Sequence, residues 1–325
     1  MRAVRVHTFG GPEVLTLNAV EAPECLPGTL TIRVGAAGVN PVDTYIRQGT
    51  YARLPELPYT PGWDGAGVVE NVGAAVERFV PGDRVYFSGT NAGRSTGAYA
   101  EVAICRELQV HPLPESLSFA QGAAIGVPYA TAHRALFHRG QARTGETVLI
   151  HGASGAVGIA ALQLARAAGL LVIGTAGTEA GLELLEAQGT AHAVLHGTED
   201  SAREILEHTG GRGVDLVIEM LANVNLDTDL TLLANNGCVV VVGSRGRVEI
   251  DPRQTMMKES AILGMALWNA SEEECSEIHR TISPMLMAGE LRPVVGSEFP
   301  LADAPQAHER VMARGAHGKV VLLMG

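Results

Sequence analysis

The residues best suited to chemistry form the run His-Gly-Ala-Ser-Gly-Ala-Val-Gly at 151–158, with glycines at 152, 155 and 158. This run joins an apolar stretch, TVLIHGA at 147–153, to an alanine-rich stretch, AVGIAALQLARAAG at 156–169. A strand that turns there into a helix offers free backbone N–H groups and the positive end of a helix dipole to an anion. Gly155 would let the backbone approach a pyrophosphate closely, and Gly158 would let the helix pack tightly on the strand. The chemistry this predicts is dinucleotide binding. The next apolar run, LLVIGTAGT at 170–178, has Ala176 and Gly177 where an NAD enzyme places Asp or Glu against the ribose 2′-hydroxyl. Without that carboxylate a 2′-phosphate is not repelled, so the expected cofactor is NADPH. His196 and Arg245 are the candidates to meet the phosphate, because no Lys or Arg stands beside the strand end and Glu179 is close by.

The elements that must position this turn are legible in the patterning. The first 120 or so residues are short strand-like runs, such as TLTIRVGAAGV at 29–39, GAGVVENVG at 65–73, DRVYF at 83–87 and GAYAEVAI at 97–104. Turn signals separate them, including Pro27-Gly28, Pro61-Gly62 and Pro81-Gly82-Asp83, and together they predict a curled antiparallel sheet or partial barrel. Near residue 120 the texture changes. Residues 120–142 read as helix, with Pro128 at a first-turn position or a kink. Strands at 147–153, 170–178, 214–220 and 237–243 then alternate with helices at 156–169 and 179–188. That rhythm predicts a doubly wound parallel sheet, an α/β Rossmann fold. After about Met265 the chain is expected to return to the first domain and end in the strand KVVLLMG.

Composition narrows the function classes. A chain of 325 residues exceeds the usual size of one hydrophobic core, so two domains are expected. Thirty-five acidic against 24 basic side chains leave a formal charge of −11, which argues against a nucleic-acid partner. Cys25, Cys105, Cys238 and Cys275 lie far apart and form no CxxC pair, so reduced thiols in a cytoplasmic protein are expected rather than disulfides or a structural zinc knot. No apolar run approaches the roughly 18 residues of a membrane helix, and MRAVRVHTFGG lacks a signal-peptide core.

The strings GVNPVDTYIRQGTY, GDRV, AAIGVPYATAHRAL, HGASGAVG, IEMLANVNL and VVGSRG resemble the zeta-crystallin-type quinone oxidoreductases, zinc-independent members of the medium-chain dehydrogenase/reductase superfamily. The resemblance runs nearly end to end. It implies a GroES-like, mostly antiparallel β domain at 1–122, completed by 266–325, and a Rossmann dinucleotide-binding domain at 123–265. It further implies NADPH:quinone reductase activity in a homo-oligomer, a dimer or tetramer. Position by position, Asn40 and Tyr45 match the nicotinamide and substrate cleft, and Ser154, Gly155, Ala156 and Val157 match the pyrophosphate turn. Gly177 ends the second strand, and His196 matches a contact on the adenosine side. Asn225, Val242, Gly243, Ser244, Arg245, Met265, Ala266 and Leu267 match further cofactor contacts. Two departures stand out: Gly197 occupies a place where close relatives often carry a basic residue, and the loop NAGRST at 91–96 looks longer than usual.

Zinc alcohol dehydrogenases of the superfamily carry a cysteine near the position of Asn40 and a Gly-His-Glu segment later, where this chain reads Gly62-Trp63-Asp64. Asn and Trp cannot supply tetrahedral zinc with its ligands, so no metal is expected. Isolated histidines such as His7, His111 and His133 are expected in surface or packing roles. A simple ketone needs a Lewis acid before hydride arrives, whereas a quinone becomes an aromatic hydroquinone anion that stabilises its own charge. In this scheme Tyr45 hydrogen-bonds the developing oxyanion, with simple packing as its alternative role, and Asn40 holds the nicotinamide ribose or the acceptor. Asp43 and Asp64 could serve as proton donors, with turn and surface positions the expected alternative. Two other functions stay open: reduction of activated C=C bonds in alkenals or enoyl thioesters, and a crystallin-like NADPH- or RNA-binding protein without turnover.

Overall fold

A computed structural model describes residues 1–89, 97–198 and 200–325; the loop at 91–96 lies outside the described residues. The chain forms two compact units, Met1–Val127 with Ser283–Gly325, and Pro128–Ile282. The first unit opens with strands β1 (Arg2–Val6), β2 (Leu15–Ala19), β3 (Thr29–Val39), β4 (Asp64–Val72), β5 (Arg84–Ser88), β6 (Val102–Arg106) and β7 (Val110–Pro112), with helix α1 (Pro41–Gln48) after β3. Helices α2 (Phe119–Gly122) and α3 (Gly126–His133) follow, and a π-helical turn at Arg134–Arg139 continues α3. The helix expected over 120–142 is therefore broken. Ser118 caps α2 through the Gln121 N–H, and Pro128 falls in the first turn of α3, where its missing N–H costs nothing.

The second unit contains β8 (Thr147–Ile150), α4 (Ala156–Ala167), β9 (Leu171–Ala176), α5 (Glu179–Ala187), β10 (His192–Leu195), α6 (Ser201–His208), β11 (Val214–Glu219), α7 (Ala222–Leu232), β12 (Leu233–Val241), α8 (Pro252–Lys258) and β13 (Ala261–Gly264). Helix α9 (Glu272–Ala288) leads back to the first unit, which ends with β14 (Val295–Pro300), α10 (Ala304–Met312) and β15 (Lys319–Leu323). The divisions between the units, at 127/128 and 282/283, lie within α3 and α9.

In the first unit a seven-stranded sheet has the order β14-β15-β3-β4-β5-β7, with β6 also on β3. Strand β3 carries β4 along one edge, while β6 and then β15 share the other. Register shifts at Thr31/Ile32 and Val34/Ala36 bend it, so the sheet curls around Leu30, Ile32, Val34, Val39, Phe87 and Tyr99. The six-stranded parallel sheet of the second unit has the order β10-β9-β8-β11-β12-β13. Its β8 is buried along its whole length, as a strand covered on both faces must be. Successive strands step outward one way from β8 and then the other way from β11. The gap between the carboxyl ends of β8 and β11 is the topological switch point, where open α/β sheets bind ligands.

Candidate functional site

The site residues divide between the two units, and each group is built within its own unit. In the second unit, β8 ends at Ile150 and α4 starts at Ala156, so His151 to Gly155 form the turn at the switch point. No side chain caps α4, which leaves its first-turn N–H groups for a ligand. Gly155 has extended backbone, φ −80° and ψ 171°. A Cβ built there would meet only the Gly152 carbonyl oxygen, at 3.3 Å, so packing within the protein does not demand glycine. Gly158 differs: its Cβ would stand 2.5 Å from Ala153 Cα and from the Gly152 carbonyl oxygen. Ser154 is buried, and Ala156 and Val157 are half-buried beside it.

Thr175 of β9 ties the turn down. Its carbonyl accepts from the Ala153 N–H at 2.8 Å, and its hydroxyl accepts from the Gly152 N–H at 3.3 Å. Gly177 follows the end of β9, and the His196 N–H donates to the Ala176 carbonyl at 2.8 Å. That bond brings the imidazole of His196 to 5.6 Å, centroid to centroid and edge-on, from that of His151.

Behind the turn lies a polar group that sequence reasoning missed. His151 Nδ1 pairs with the Thr175 hydroxyl at 3.1 Å, and its Nε2 with Asp229 Oδ1 at 2.8 Å. Glu219 closes β11, fully buried, with its Oε2 3.7 Å from His151 Nε2. Its carboxylate accepts from the Leu221 N–H and the Asn225 side-chain amide. Burial raises both the Glu219 and Asp229 carboxyls and lowers the His151 imidazolium. Desolvation disfavours charge on all three. Their ligand atoms lie within 4.8 Å of one another, the only group among the described residues with the donors for a cation. A signal was present in the chain: His151 and Glu219 each end a run that is otherwise almost wholly apolar.

The same group places the other expected contacts. Asn225 is aimed by Glu219, and the Val242 and Gly243 N–H groups donate to the Glu219 carbonyl at 2.8 and 3.2 Å. Arg245 is anchored through its N–H to Asn223 Oδ1 at 2.7 Å, with its side chain exposed. Met265 pairs with Val241, next to Ala266 and then Leu267, which opens a 3-10 turn. Val242, Gly243, Ser244, Met265 and Ala266 line a cavity of about 570 Å³ together with Arg134 and Arg139. Neither arginine was anticipated. They donate to the Ala266 and Gly264 carbonyls at 3.3 and 3.0 Å.

In the first unit, Asn40 precedes α1 and is 4% exposed. Its side-chain oxygen accepts from Lys319 Nζ at 2.6 Å, and its amide nitrogen donates to Asp64 Oδ2 at 2.9 Å. Lys319 also donates to Asp64 Oδ2 at 2.7 Å, and the Val127 N–H to Asp64 Oδ1 at 2.6 Å. Asp43 caps α1 by accepting from the Asn40 N–H at 2.8 Å. Burial pushes its carboxyl up to about 7 in spite of that bond. The surface positions expected for Asp43 and Asp64 are therefore wrong: they are 2% and 0% exposed. A buried lysine 255 residues away in sequence neutralises Asp64, and no local pattern announces it. Tyr45 lies half-buried on α1. At the positions where zinc relatives hold metal, this unit offers the amide of Asn40, the ring of Trp63 and a carboxylate already bound three times. Those donors do not make a zinc site.

Comparison with known proteins agrees with this geometry. Residues 26–115 match the alcohol dehydrogenase GroES-like domain family, and residues 156–283 match the zinc-binding dehydrogenase family. The Homo sapiens quinone oxidoreductase is 49% identical over 326 residues, covering 100% of this chain and 98% of that protein. The quinone oxidoreductase of Pseudomonas aeruginosa is 31% identical over 99% of each chain. A solved structure of Escherichia coli quinone oxidoreductase complexed with NADPH superposes with a TM-score of 0.89 at 28% identity, over 100% of both chains. Full-length likeness at this level, on two sheets of the expected kind, shows that the chain belongs to the quinone oxidoreductase family of the medium-chain dehydrogenase/reductase superfamily.

Proposed function

We propose that this protein is an NADPH-dependent reductase of quinones that works without a metal in its catalytic unit. The observation that carries the reading is the saturation of Asp64 by Lys319, Asn40 and the Val127 N–H. An internal ion pair fills the place a metal ligand would occupy, so the acceptor must delocalise the incoming charge itself. Ser154 to Val157, Gly177, His196, Asn225, Val242 to Arg245 and Met265 to Leu267 would hold the cofactor. The room left at Gly155 fits a pyrophosphate, and the lack of a carboxylate at Ala176 and Gly177 fits a 2′-phosphate.

When bound, the cofactor supplies a hydride from C4 of its nicotinamide. Quinone, NADPH and one proton then give hydroquinone and NADP⁺. The chain's own residues bind and orient. The Tyr45 hydroxyl donates to the oxygen on which negative charge develops, and the Asn40 amide donates beside it. The open edge of the parallel sheet supports a homo-oligomer: among the described residues β13 has no outer neighbour in its sheet, and Ile262 on it is 38% exposed. Four free cysteines support a cytoplasmic setting. No described helix is long and apolar enough to cross a membrane.

Steady-state rates with NADPH and NADH, against ortho-quinones, para-quinones and 2-alkenals, test the proposal. Quinones with NADPH are expected to give the highest kcat/KM. Negligible quinone rates beside fast alkenal reduction would replace the acceptor, and a lower KM for NADH would replace the cofactor.

A further inference from the structure

We propose that Lys319 is a positioning residue that fixes the Asn40 amide so that Asn40 presents a free N–H donor to the acceptor. The inference rests on the reading of Asn40 above and specifies its chemistry.

Asn40 carries two amide hydrogens and one carbonyl oxygen. Lys319 Nζ donates to the oxygen at 2.6 Å, and one amide hydrogen is given to Asp64 Oδ2 at 2.9 Å. A flipped amide would set N–H against the ammonium and oxygen against the carboxylate, two repulsions in place of two charge-assisted bonds. The orientation is therefore dictated by the partners. What remains is the second amide hydrogen, which has no partner among the described residues. A residue held this way can donate its remaining N–H to a quinone oxygen as that oxygen gains charge.

The fold is arranged around the triangle. Lys319 and Asp64 are 1% and 0% exposed, so their pairing is not weakened by solvent. Lys319 opens β15, Asp64 opens β4, and Asn40 follows the end of β3, which pairs with both of those strands. Gly38 makes the approach possible: a Cβ there would lie 2.6 Å from Lys319 Cε and 2.9 Å from Asp64 Cβ. The local ion pair is complete, because Asp64 Oδ1 takes the Val127 N–H. Lys319 thus acts on the reaction only through the atom it holds.

The test is a mutant cycle on kcat with a para-quinone at saturating NADPH. Its arms are Asn40→Ala, the paired Lys319→Met/Asp64→Asn (which removes both charges so that neither is left buried alone), and the triple variant. Asn40→Ala is expected to lower kcat about 10- to 150-fold, the scale of one hydrogen bond to a charged group. The pair should lower it to a similar degree with the NADPH dissociation constant unchanged, and the triple variant should match Asn40→Ala within twofold. A triple variant reduced by the product of both factors would overturn the positioning role. An Asn40→Ala variant with wild-type kcat would overturn the reading of Asn40 itself. Should the paired variant not fold, Asn40→Asp decides. It keeps an acceptor for Lys319 but has no N–H, so its kcat should match Asn40→Ala at pH 8 and recover as pH falls and the introduced carboxyl gains a proton. Wild-type kcat at pH 8 in Asn40→Asp would refute the donor assignment.

Discussion

Gly155 and Gly158 belong to one motif, yet the structure assigns them different physical duties, and substituting each by alanine separates those duties. At Gly155 the backbone, φ −80° and ψ 171°, is open to any L residue. Alanine there gains about 0.4–1 kcal/mol by restricting the unfolded chain, against a mild contact of its Cβ with the Gly152 carbonyl at 3.3 Å. The apo Tm of Gly155→Ala should therefore stay within about 3 °C of wild type. Its methyl, however, occupies the room left for a phosphate. Losing one charge-assisted hydrogen bond, about 1.5–3 kcal/mol, raises the Kd for NADPH roughly 10- to 150-fold. At Gly158 the new Cβ lies 2.5 Å from backbone atoms of residues 152 and 153. Overpacking costs about 1–3 kcal/mol, and the better helix propensity of alanine returns up to about 1 kcal/mol. The net loss of up to about 3 kcal/mol should lower the apo Tm of Gly158→Ala by up to roughly 5 °C. Differential scanning calorimetry of the apoprotein and NADPH fluorescence titration give both numbers. If Gly155→Ala binds NADPH as wild type does, or loses as much Tm as Gly158→Ala, the assignment of that space to a pyrophosphate is refuted.

Tyr45→Phe should lower kcat tenfold or less, on the order of one hydrogen bond to a charged group; a loss of many thousandfold would make Tyr45 an obligate acid and refute the oxyanion-donor scheme. Burial raises the Glu219 and Asp229 carboxyls in the folded state, so the native protein holds a proton that the unfolded chain releases near pH 4. Their contribution is fully present below that point and is lost as pH rises through the folded value near 7. Asp229→Asn removes one of the two raised carboxyls, so the stability of wild type relative to the variant should fall as pH rises from 5 to 7, by at most about 1.4 kcal/mol per pH unit. Chemical denaturation of both proteins across that range checks it, and parallel pH profiles would refute the raised Asp229 carboxyl.

Much of the second unit was legible because its signals are local. A strand buried on both faces must be apolar along its length, which marked β8, β9, β11 and β12. The turn at 151–158 advertised itself by glycine spacing. Strands β10 and β13 stand at the two ends of the sheet order and carry exposed positions, so no wholly buried apolar run marks them. The long helix expected over 120–142 is broken by the turn at 123–125 between α2 and α3, and its later part ends as a π-helical turn, which keeps the composition of an α-helix while changing its hydrogen bonds.

The chain by itself determined the fold class, the strand–turn–helix at 147–167 and the residue types Asn40, Trp63 and Asp64 that stand where zinc ligands were sought, since each depends on residue type within a short window. Only the tertiary structure decided that Asp64 and Asp43 are buried, that Lys319 answers the first across 255 residues, and that His151, Glu219 and Asp229 meet behind the turn. A buried charge is tolerable only with a partner, and which residues become partners is settled by strand order and register. Those pairings bring together positions that no sequence window contains.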